Sequence, residues 1–312
     1  MKTKKLISIV TPCFNEEKNV EILHKEIVRV MAKMPEYRYE HIYIDNSSTD
    51  QTVPILKRLA AKDKSIKVIV NARNFGQIRS PYYALLQASG DAVIGMASDL
   101  QDPPALIKEF LRKWEEGYQV VMGVKSRSEE ARLMYMLRTA YYKTLAKLSD
   151  VELVENFTGF GCYDKQVIKI LREMNDPYPY FRGLIADIGF PAAKIEFVQP
   201  KRKHGITKNN FYTLFDMAML GFTNHTKVPL RLATMLGFFA AAISFFVGLF
   251  YLVYKLINWK NFQLGSAPIV VGLFFFGAIQ LLFLGVVGEY IGAIYTQVLK
   301  RPLVVEKERI NF

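Results

Sequence analysis

Residues Asp91–Pro104, DAVIGMASDLQDPP, join an apolar run to a polar stretch that ends in two prolines. The apolar run predicts a buried β-strand, so the polar residues stand at its carboxyl end. In an open parallel sheet, ligands bind beyond the carboxyl ends of the strands. Asp102 also suits a helix start, because Asp is a favoured N-cap and proline fits the first turn. That local role leaves Asp99 unexplained, so Asp99 is a candidate ligand-binding residue.

The same alternation of strand and helix runs through the first 125 residues. The predicted strands are LISIVTP, YEHIYIDN, IKVIVNA, DAVIGMAS and YQVVMGV, and the predicted helices span 16–34, 52–61, 80–88 and 103–116. Continuous apolar strands separated by helices predict an α/β fold with a mainly parallel sheet covered on both faces. The clusters TPCFNEE, DNSSTD, NARNFGQ and SDLQDPP follow the first four strands. Four polar loops should therefore meet at one sheet edge, an architecture typical of nucleotide binding.

Two apolar runs without a charged residue lie near the C-terminus, Leu232–Tyr254 and Leu264–Gly288. Each exceeds the roughly 20 residues that a helix needs to cross a bilayer, so we predict a hairpin of two transmembrane helices, at about 231–256 and 265–290. A pair of buried core helices is the alternative, but the Phe, Gly and Leu content and the flanking Tyr and Trp favour lipid. Lys and Arg crowd before the first run and after the second, whereas the connector Asn258–Ser266 holds only Lys260. The positive-inside rule then places the soluble part and both termini in the cytoplasm.

The formal net charge of +12 also raises the question of nucleic acid. The sequence contains no recognisable nucleic-acid motif, and basic residues beside membrane spans are explained by anionic lipid headgroups. Amphipathic patterns over Lys125–Ser149 and Phe211–Asn224 predict a helix and an interfacial segment. The two cysteines, Cys13 and Cys162, form no disulfide framework, which agrees with a reducing compartment. We therefore expect a membrane partner and no nucleic acid.

Single residues at the strand ends have both functional and structural interpretations. Asp45 suits hydrogen bonding to a uracil or ribose, and Asp99 suits Mg²⁺ or Mn²⁺, which reaches proteins through one or two carboxylates. Arg73 suits a diphosphate. Each also has an ordinary role, as a turn residue, a cap or a surface ion pair. Their convergence on one sheet edge favours a site.

Five segments, ISIVTPCFNEEKNV, IYIDNSSTDQT, NARNFGQ, ASDLQDPP and KRKHGITK, precede the two spans. Together they resemble the family 2 glycosyltransferases of the GT-A fold, specifically the polyprenyl-phosphate glycosyltransferases. The resemblance continues to GEYIGAIYTQVLKRP after the second span. We accordingly divide the chain into a GT-A domain (1–210), an amphipathic interfacial segment (211–228), two transmembrane helices (229–298) and a cytoplasmic tail (299–312).

The resemblance also implies roles for individual residues. The nucleotide-sugar pocket would comprise Pro12, Phe14, Glu16, Asp45, Asn46, Arg73 and Asp99. The divalent cation, Mg²⁺ or Mn²⁺, would be held by Asp99 and Gln101. Phosphate groups of the acceptor would be contacted by Lys125, Arg138, Arg202 and Lys208. Asp99 and Arg202 would be the catalytic residues among these.

Two positions depart from the family pattern. The acidic pair Asp-x-Asp has Ala97 in its first position, and the segment Gly-Asp-Phe-Arg is replaced by Thr158–Gly161. The first change leaves Asp99 as the one carboxylate of the motif. The second removes an acid and an arginine, but a polyprenyl phosphate needs no base, since the second pKa of a phosphomonoester is about 6.

The resemblance thus implies a metal-dependent, inverting enzyme of the cytoplasmic membrane that acts in cell-envelope glycosylation. It would move a hexose such as glucose from a nucleotide-diphosphate sugar, with UDP favoured, to a polyprenyl phosphate on the cytoplasmic leaflet. Two alternatives are transfer to another lipid, whose alcohol would need a base, and a non-catalytic membrane scaffold that retains the fold. Small residues in both spans permit a homo-oligomer without fixing its size.

Overall fold

The computed structural model describes residues 4–127, 154–200, 219–221, 223, 226–257 and 266–312. The strands in these ranges are β1 (Leu6–Cys13), β2 (Arg38–Asp45), β3 (Ile66–Asn71), β4 (Ala92–Gly95), β5 (Val120–Arg127), β6 (Phe157–Asp164), β7 (Ala192–Val198) and β8 (Glu306–Ile310). The helices are α1 (Val20–Met31), α2 (Thr52–Lys62), α3 (Gly76–Leu86), α4 (Ile107–Glu115), α5 (Lys165–Met174), α6 (Phe181–Ile188), α7 (Val228–Ile257) and α8 (Ser266–Leu299).

The strands form one eight-stranded sheet in the order β7-β5-β6-β4-β1-β2-β3-β8. Strands β1 to β4 pair in parallel, whereas β6 runs antiparallel to β4 and β5, and β8 runs antiparallel to β3. Apolar side chains of α1 and α4 pack with β1 on one face, and those of α3 and α5 pack on the other. The predicted mainly parallel α/β fold is confirmed. The strands β6, β7 and β8 were not predicted.

Several element boundaries differ from the sequence prediction. Helix α1 begins at Val20 and not at residue 16, because Asn15 adopts a left-handed conformation (φ 56°) and a turn follows it. Helix α3 begins at Gly76 and not at residue 80, and it includes Pro81. The predicted helix from Lys125 is wrong for residues 125–127, which belong to β5, and the rest of that prediction lies outside the described residues.

Helices α7 and α8 differ from the eight-stranded sheet in where their apolar side chains lie. Both are long and apolar enough to cross a membrane, over Val228–Ile257 and Gly272–Leu299, and their apolar side chains are exposed in the isolated chain. Phe238, for example, is 78% exposed and Leu281 73%. An apolar surface of this extent requires a non-aqueous environment or a partner. Most of the predicted interfacial segment over 211–228 lies outside the described residues.

The residues after α8 return to the eight-stranded sheet. Strand β8 pairs with β3, with Ile310 opposite Val68. The Asn311 side chain donates hydrogen bonds of 2.8 Å to the carbonyls of Ala60 and Ile66. The segment 299–312, which the sequence analysis treated as a separate tail, therefore ends as a strand of the same sheet.

Candidate functional site

The carboxyl ends of the parallel strands lie side by side, as the register shows. Cys13 at the end of β1 is opposite Asp45 at the end of β2, and Asp45 is opposite Val70 of β3. The loops that follow β1, β2 and β3 therefore meet at one edge, as predicted. We call residues 14–19, 46–51 and 72–75 the linked loops.

The first two linked loops are joined by reciprocal hydrogen bonds. The Asn15 backbone N–H donates to Ser48 Oγ over 2.8 Å, and Asn15 Oδ1 accepts from the Thr49 N–H over 2.8 Å. The Glu16 N–H donates to Thr52 Oγ1 at 2.8 Å. Because Asn tolerates the left-handed region better than most residues, it can turn the chain here and still offer its side chain to the neighbouring loop.

Asn46 joins the second loop to the third. Its Oδ1 accepts from the Phe75 N–H (2.9 Å) and from Asn71 Nδ2 (3.1 Å). Its Nδ2 donates to Asn74 Oδ1 (2.8 Å) and to the Gly76 carbonyl (3.1 Å). The amide is thus occupied by protein groups, which gives Asn46 a structural role. Base binding by Asn46 stays a prediction.

Asp45 is fully buried beside this junction. Its Oδ2 accepts from the Ser48 N–H at 2.8 Å, whereas its buried Oδ1 has no hydrogen-bond partner among the described residues. Burial raises the pKa of this carboxyl above its ordinary value. A buried polar atom without a partner calls for an explanation, and a donor on a bound base or ribose would supply one.

Arg73 lies on the outer side of the third loop. Its guanidinium stacks over the Phe75 ring at 4.0 Å and donates to the Asn74 carbonyl at 3.0 Å. It is exposed and does not line the cavity described next. Phe14 and Glu16 are half-buried in the first loop, where Glu16 accepts from Asn19 Nδ2.

A cavity of about 460 Å³ opens beyond the end of β4. Four predicted site residues line it, namely Pro12, Asp99, Gln101 and Lys125. The other predicted site residues in the described ranges, Phe14, Glu16, Asp45, Asn46 and Arg73, lie outside its wall at the linked loops. Arg138, Arg202 and Lys208 lie outside the described residues.

Two carboxylates, those of Asp99 and Asp102, follow the carboxyl end of β4. Asp99 is 7% exposed, and its Oδ1 accepts from the Gln101 N–H at 3.2 Å. Between them, Leu100 has a φ of 61°, a left-handed conformation that is uncommon outside glycine. Backbone strain of this kind concentrates at functional sites.

Asp102 also lines the cavity and is 6% exposed. Burial raises its pKa to about 6, against the lowering effects of a hydrogen bond from the Ala97 N–H and of Lys125. The predicted N-cap role is wrong, because its Oδ2 accepts from Ala97 at 2.8 Å and the helical turn starts at Pro104. Asp102 therefore braces the residue that replaces the family's first acid.

A divalent cation fits this donor set. The described residues contain no cluster of three or more His, Cys, Asp or Glu side chains suited to a metal. Mg²⁺ needs fewer, since it is commonly held by one or two carboxylates together with substrate phosphates and water. Asp99 and Asp102 provide two carboxylates on one cavity wall. Gln101 lies there too, with its Nε2 donating to the Pro200 carbonyl at 3.4 Å.

The second departure from the family pattern has a structural cause in β6. A Cβ on Gly161 would lie 2.3 Å from the Val121 carbonyl oxygen of β5, so no side chain fits there. Gly159 has a φ of +99°, which disfavours any residue with a side chain. Its carbonyl accepts from the Tyr163 hydroxyl at 2.7 Å. The conformation and packing of β6 therefore favour glycine at both positions where the family pattern has the acid and the arginine.

The start of α6 provides one wall of the cavity, and this wall was not predicted from the sequence. Tyr180, Phe181 and Arg182 line it. The Arg182 guanidinium lies 5.3 Å from the Tyr180 ring and donates to the Phe157 carbonyl at 3.3 Å. The run YPYFRG, rich in aromatic residues and containing an arginine, was the sequence feature that could have indicated it.

Comparison with known proteins places this site in a family. Residues 8–172 match the model for glycosyl transferase family 2, and residues 228–294 match the GtrB C-terminal hairpin. The chain therefore belongs to glycosyl transferase family 2, and its catalytic domain has the GT-A fold. The resemblance inferred from the sequence is confirmed.

Similar proteins align over nearly the whole chain. The SfII prophage-derived bactoprenol glucosyl transferase of Shigella flexneri is 33% identical over 97% of this chain and 97% of its own. The putative glycosyltransferase CsbB of Bacillus subtilis is 33% identical over 97% of this chain and 92% of its own. The prophage bactoprenol glucosyl transferase homolog of Escherichia coli is 32% identical, with coverages of 96% and 98%. The protein is thus a glycosyltransferase.

Proposed function

We propose that the protein transfers glucose from a nucleotide-diphosphate sugar, with UDP-glucose favoured, to a polyprenyl phosphate. The observation that carries the proposal is the pair of buried carboxylates, Asp99 and Asp102, on the wall of a cavity that also holds Lys125 and Arg182. Carboxylates at a strand end suit a diphosphate that carries a divalent cation, and the positive side chains of Lys125 and Arg182 suit a phosphate group. The names of the similar proteins and the shared C-terminal hairpin support a lipid acceptor.

The reaction is a single in-line displacement. A phosphate oxygen of the lipid forms a bond to the anomeric carbon of glucose while the bond to the diphosphate oxygen breaks. The nucleoside diphosphate leaves with the electron pair, and the sugar inverts its configuration. The nucleophile is already an anion near neutral pH, so no proton must be removed. This agrees with the cavity wall, which has Gly159 at the position where the family pattern has an acid.

Charge stabilisation is then the main contribution of the protein. When bound, a divalent cation neutralises negative charge that develops on the leaving diphosphate. Asp99 and Asp102 would hold that cation, with Gln101 beside them. Lys125 of β5 and Arg182 of α6 offer positive charge to the acceptor phosphate. Asp45 accepts from the base, and Arg73 reaches the diphosphate once its exposed side chain turns toward the site.

The shared sheet supports an even number of membrane crossings between β7 and β8. Strands β7 and β8 lie in one sheet, so the chain between them must cross any membrane an even number of times. Helices α7 and α8 satisfy this requirement as a two-span hairpin. The excess of Lys and Arg outside the hairpin supports a cytoplasmic catalytic domain and cytoplasmic termini. The active site then faces the leaflet where nucleotide sugars are available.

A transfer assay tests this function. Membranes containing the protein are incubated with labelled UDP-glucose and undecaprenyl phosphate, and label is measured in the organic phase. We expect a labelled lipid from which mild acid releases labelled glucose. Labelling of diacylglycerol in place of the phosphate lipid would support the alternative acceptor. Absence of transfer with both UDP- and GDP-sugars would contradict the proposal.

A further inference from the structure

Membrane helix α8 makes a polar contact with the catalytic domain near its C-terminal end. Gln297 Nε2 donates a hydrogen bond of 2.9 Å to Asp176 Oδ1. Seven residues earlier, the Tyr290 hydroxyl donates to the Thr226 carbonyl at 2.6 Å, which ties α8 to the residues just before α7. The first of these two contacts reaches a loop of the catalytic domain.

Asp176 shapes that loop. Helix α5 ends at Asn175, whose φ of 47° reverses the chain. Asp176 Oδ1 also accepts from the Tyr178 N–H at 2.9 Å, which closes a tight turn. One carboxylate oxygen therefore holds both the turn and the membrane helix.

The same loop separates two cavities. Its later residues, Pro179 and Tyr180, line the main cavity together with Phe181 and Arg182 of α6. Tyr178 lines a second cavity of about 340 Å³, which is also lined by Met219, Leu220 and Thr223 and by the α8 face that carries Gly288, Glu289, Gly292, Ala293, Thr296 and Gln297. A displacement of α8 relative to the domain would therefore reach the main cavity through residues 176–180.

We propose that Gln297 and Asp176 form a clamp through which membrane helix α8 positions the Pro179–Arg182 wall of the active site. The proposal rests on the proposed function, because a wall fixed to a membrane helix matters when the acceptor is a membrane lipid. Both are positioning residues and touch no reacting atom. The clamp sets the wall relative to the lipid headgroups, and a misplacement of about 1 Å can cost about 10²-fold in rate.

A reciprocal exchange of the two side chains tests the clamp. Gln297→Glu places two carboxylates together, whereas adding Asp176→Asn restores an amide–carboxylate pair and keeps an acceptor for the Tyr178 N–H. We expect Gln297→Glu to raise the KM for polyprenyl phosphate about tenfold with the KM for UDP-glucose unchanged, and the double variant to recover most of the loss. Tyr290→Phe, which removes the other α8 hydrogen bond, is the matched control and should leave both KM values unchanged.

Hydrogen–deuterium exchange supplies a readout that needs no activity. Amides of residues 176–184 should exchange faster in Gln297→Glu and return to the wild-type rate in the double variant. The clamp is contradicted if exchange and acceptor KM do not change in Gln297→Glu, if the double variant shows no recovery, or if Tyr290→Phe has an equal effect. If the variants show the expected exchange pattern but wild-type protein shows no transfer, the proposed function is contradicted and the clamp remains supported.

Discussion

The linked loops and the cavity wall occupy the same sheet edge but are built differently. In the linked loops, Asn15 and Asn46 have their side chains occupied by hydrogen bonds to neighbouring loops. The cavity wall instead presents buried acids, aromatic rings and cations to an open space of about 460 Å³. A connected hydrogen-bond network favours a rigid, pre-formed surface, whereas an open wall leaves room for groups that react.

This difference suggests a division of labour along the edge. The linked loops are suited to an invariant part of the substrate, the nucleotide, which only has to be held. The cavity is suited to the diphosphate, the sugar and the acceptor phosphate, where charge changes during the reaction. Variants that affect one side alone can therefore break or sharpen the comparison.

The largest effect should come from Asp99→Asn on the cavity side. Loss of one carboxylate at a strained turn weakens cation binding, and we expect transfer to fall by about 10²- to 10³-fold, the scale of removing one electrostatic stabiliser. Initial rates with labelled UDP-glucose measure this. Asp187→Asn, at an exposed position of α6, is the control and should retain wild-type rates. Full activity in Asp99→Asn would remove Asp99 from the site.

Next in size is Gly161→Ala in β6. A methyl group 2.3 Å from the Val121 carbonyl forces β5 and β6 apart, and overpacking of this kind costs about 1–3 kcal/mol or more. The thermal midpoint in detergent measures the loss. Gly117→Ala, at a φ of +101° with nothing within 4 Å, introduces backbone strain without a collision and is the control. An equal midpoint for the two variants would contradict the steric account.

Asn46→Ala should affect the linked loops. It leaves the Phe75 N–H without its acceptor and removes one of the two acceptors of Asn71 Nδ2, and an unsatisfied buried donor costs about 1–3 kcal/mol. We expect a lower thermal midpoint and weaker UDP binding. Asn74→Ala removes a partner of Asn46 at an exposed site, where water can substitute, and should cost less. If the two variants are equal, Asn46 is not the junction of the loops.

The smallest effect should be a pH dependence from His41. Burial, aided by His24, lowers its pKa well below 6.5, and its Nε2 lies 3.0 Å from Thr11 Oγ1. The unfolded chain takes up a proton below the ordinary pKa while the folded chain does not, so stability rises with pH up to that value and then levels. One pH unit below it, the loss is about 1 kcal/mol. Thermal midpoints of wild type and His41→Gln across this range measure it, and the variant should show a flatter profile. Parallel profiles would contradict this assignment.

The sequence predicted the parts of the fold that depend on local pattern. Continuous apolar strands such as β1 and β2, and the two helices α7 and α8 with their long uncharged runs, follow directly from the sequence pattern. Strand β8 could not be predicted, since its pairing with β3 joins residues more than 200 positions apart. Strand β6 was hidden by the glycines that its close approach to β5 requires.

The site was predictable to a similar extent. Asp99 was placed at the cavity because strand ends converge in a parallel sheet, whereas Lys125 was assigned through the family resemblance. The bond from the Ala97 N–H to Asp102 was not, because the local pattern of Asp102, Pro103 and Pro104 equally fits a helix cap. The α6 wall was missed because its residues come from an antiparallel part of the domain, far along the chain from the first four loops.

Calorimetric titration with UDP tests the division of labour most directly. Wild type, Asp45→Asn and Asp99→Asn are each titrated with Mn²⁺ present and with the cation removed by chelator. We predict that Asp45→Asn weakens UDP binding under both conditions, whereas Asp99→Asn weakens it with Mn²⁺ alone and matches wild type in chelator. Equal losses for Asp99→Asn with and without the cation, or wild-type affinity for Asp45→Asn, would contradict the account.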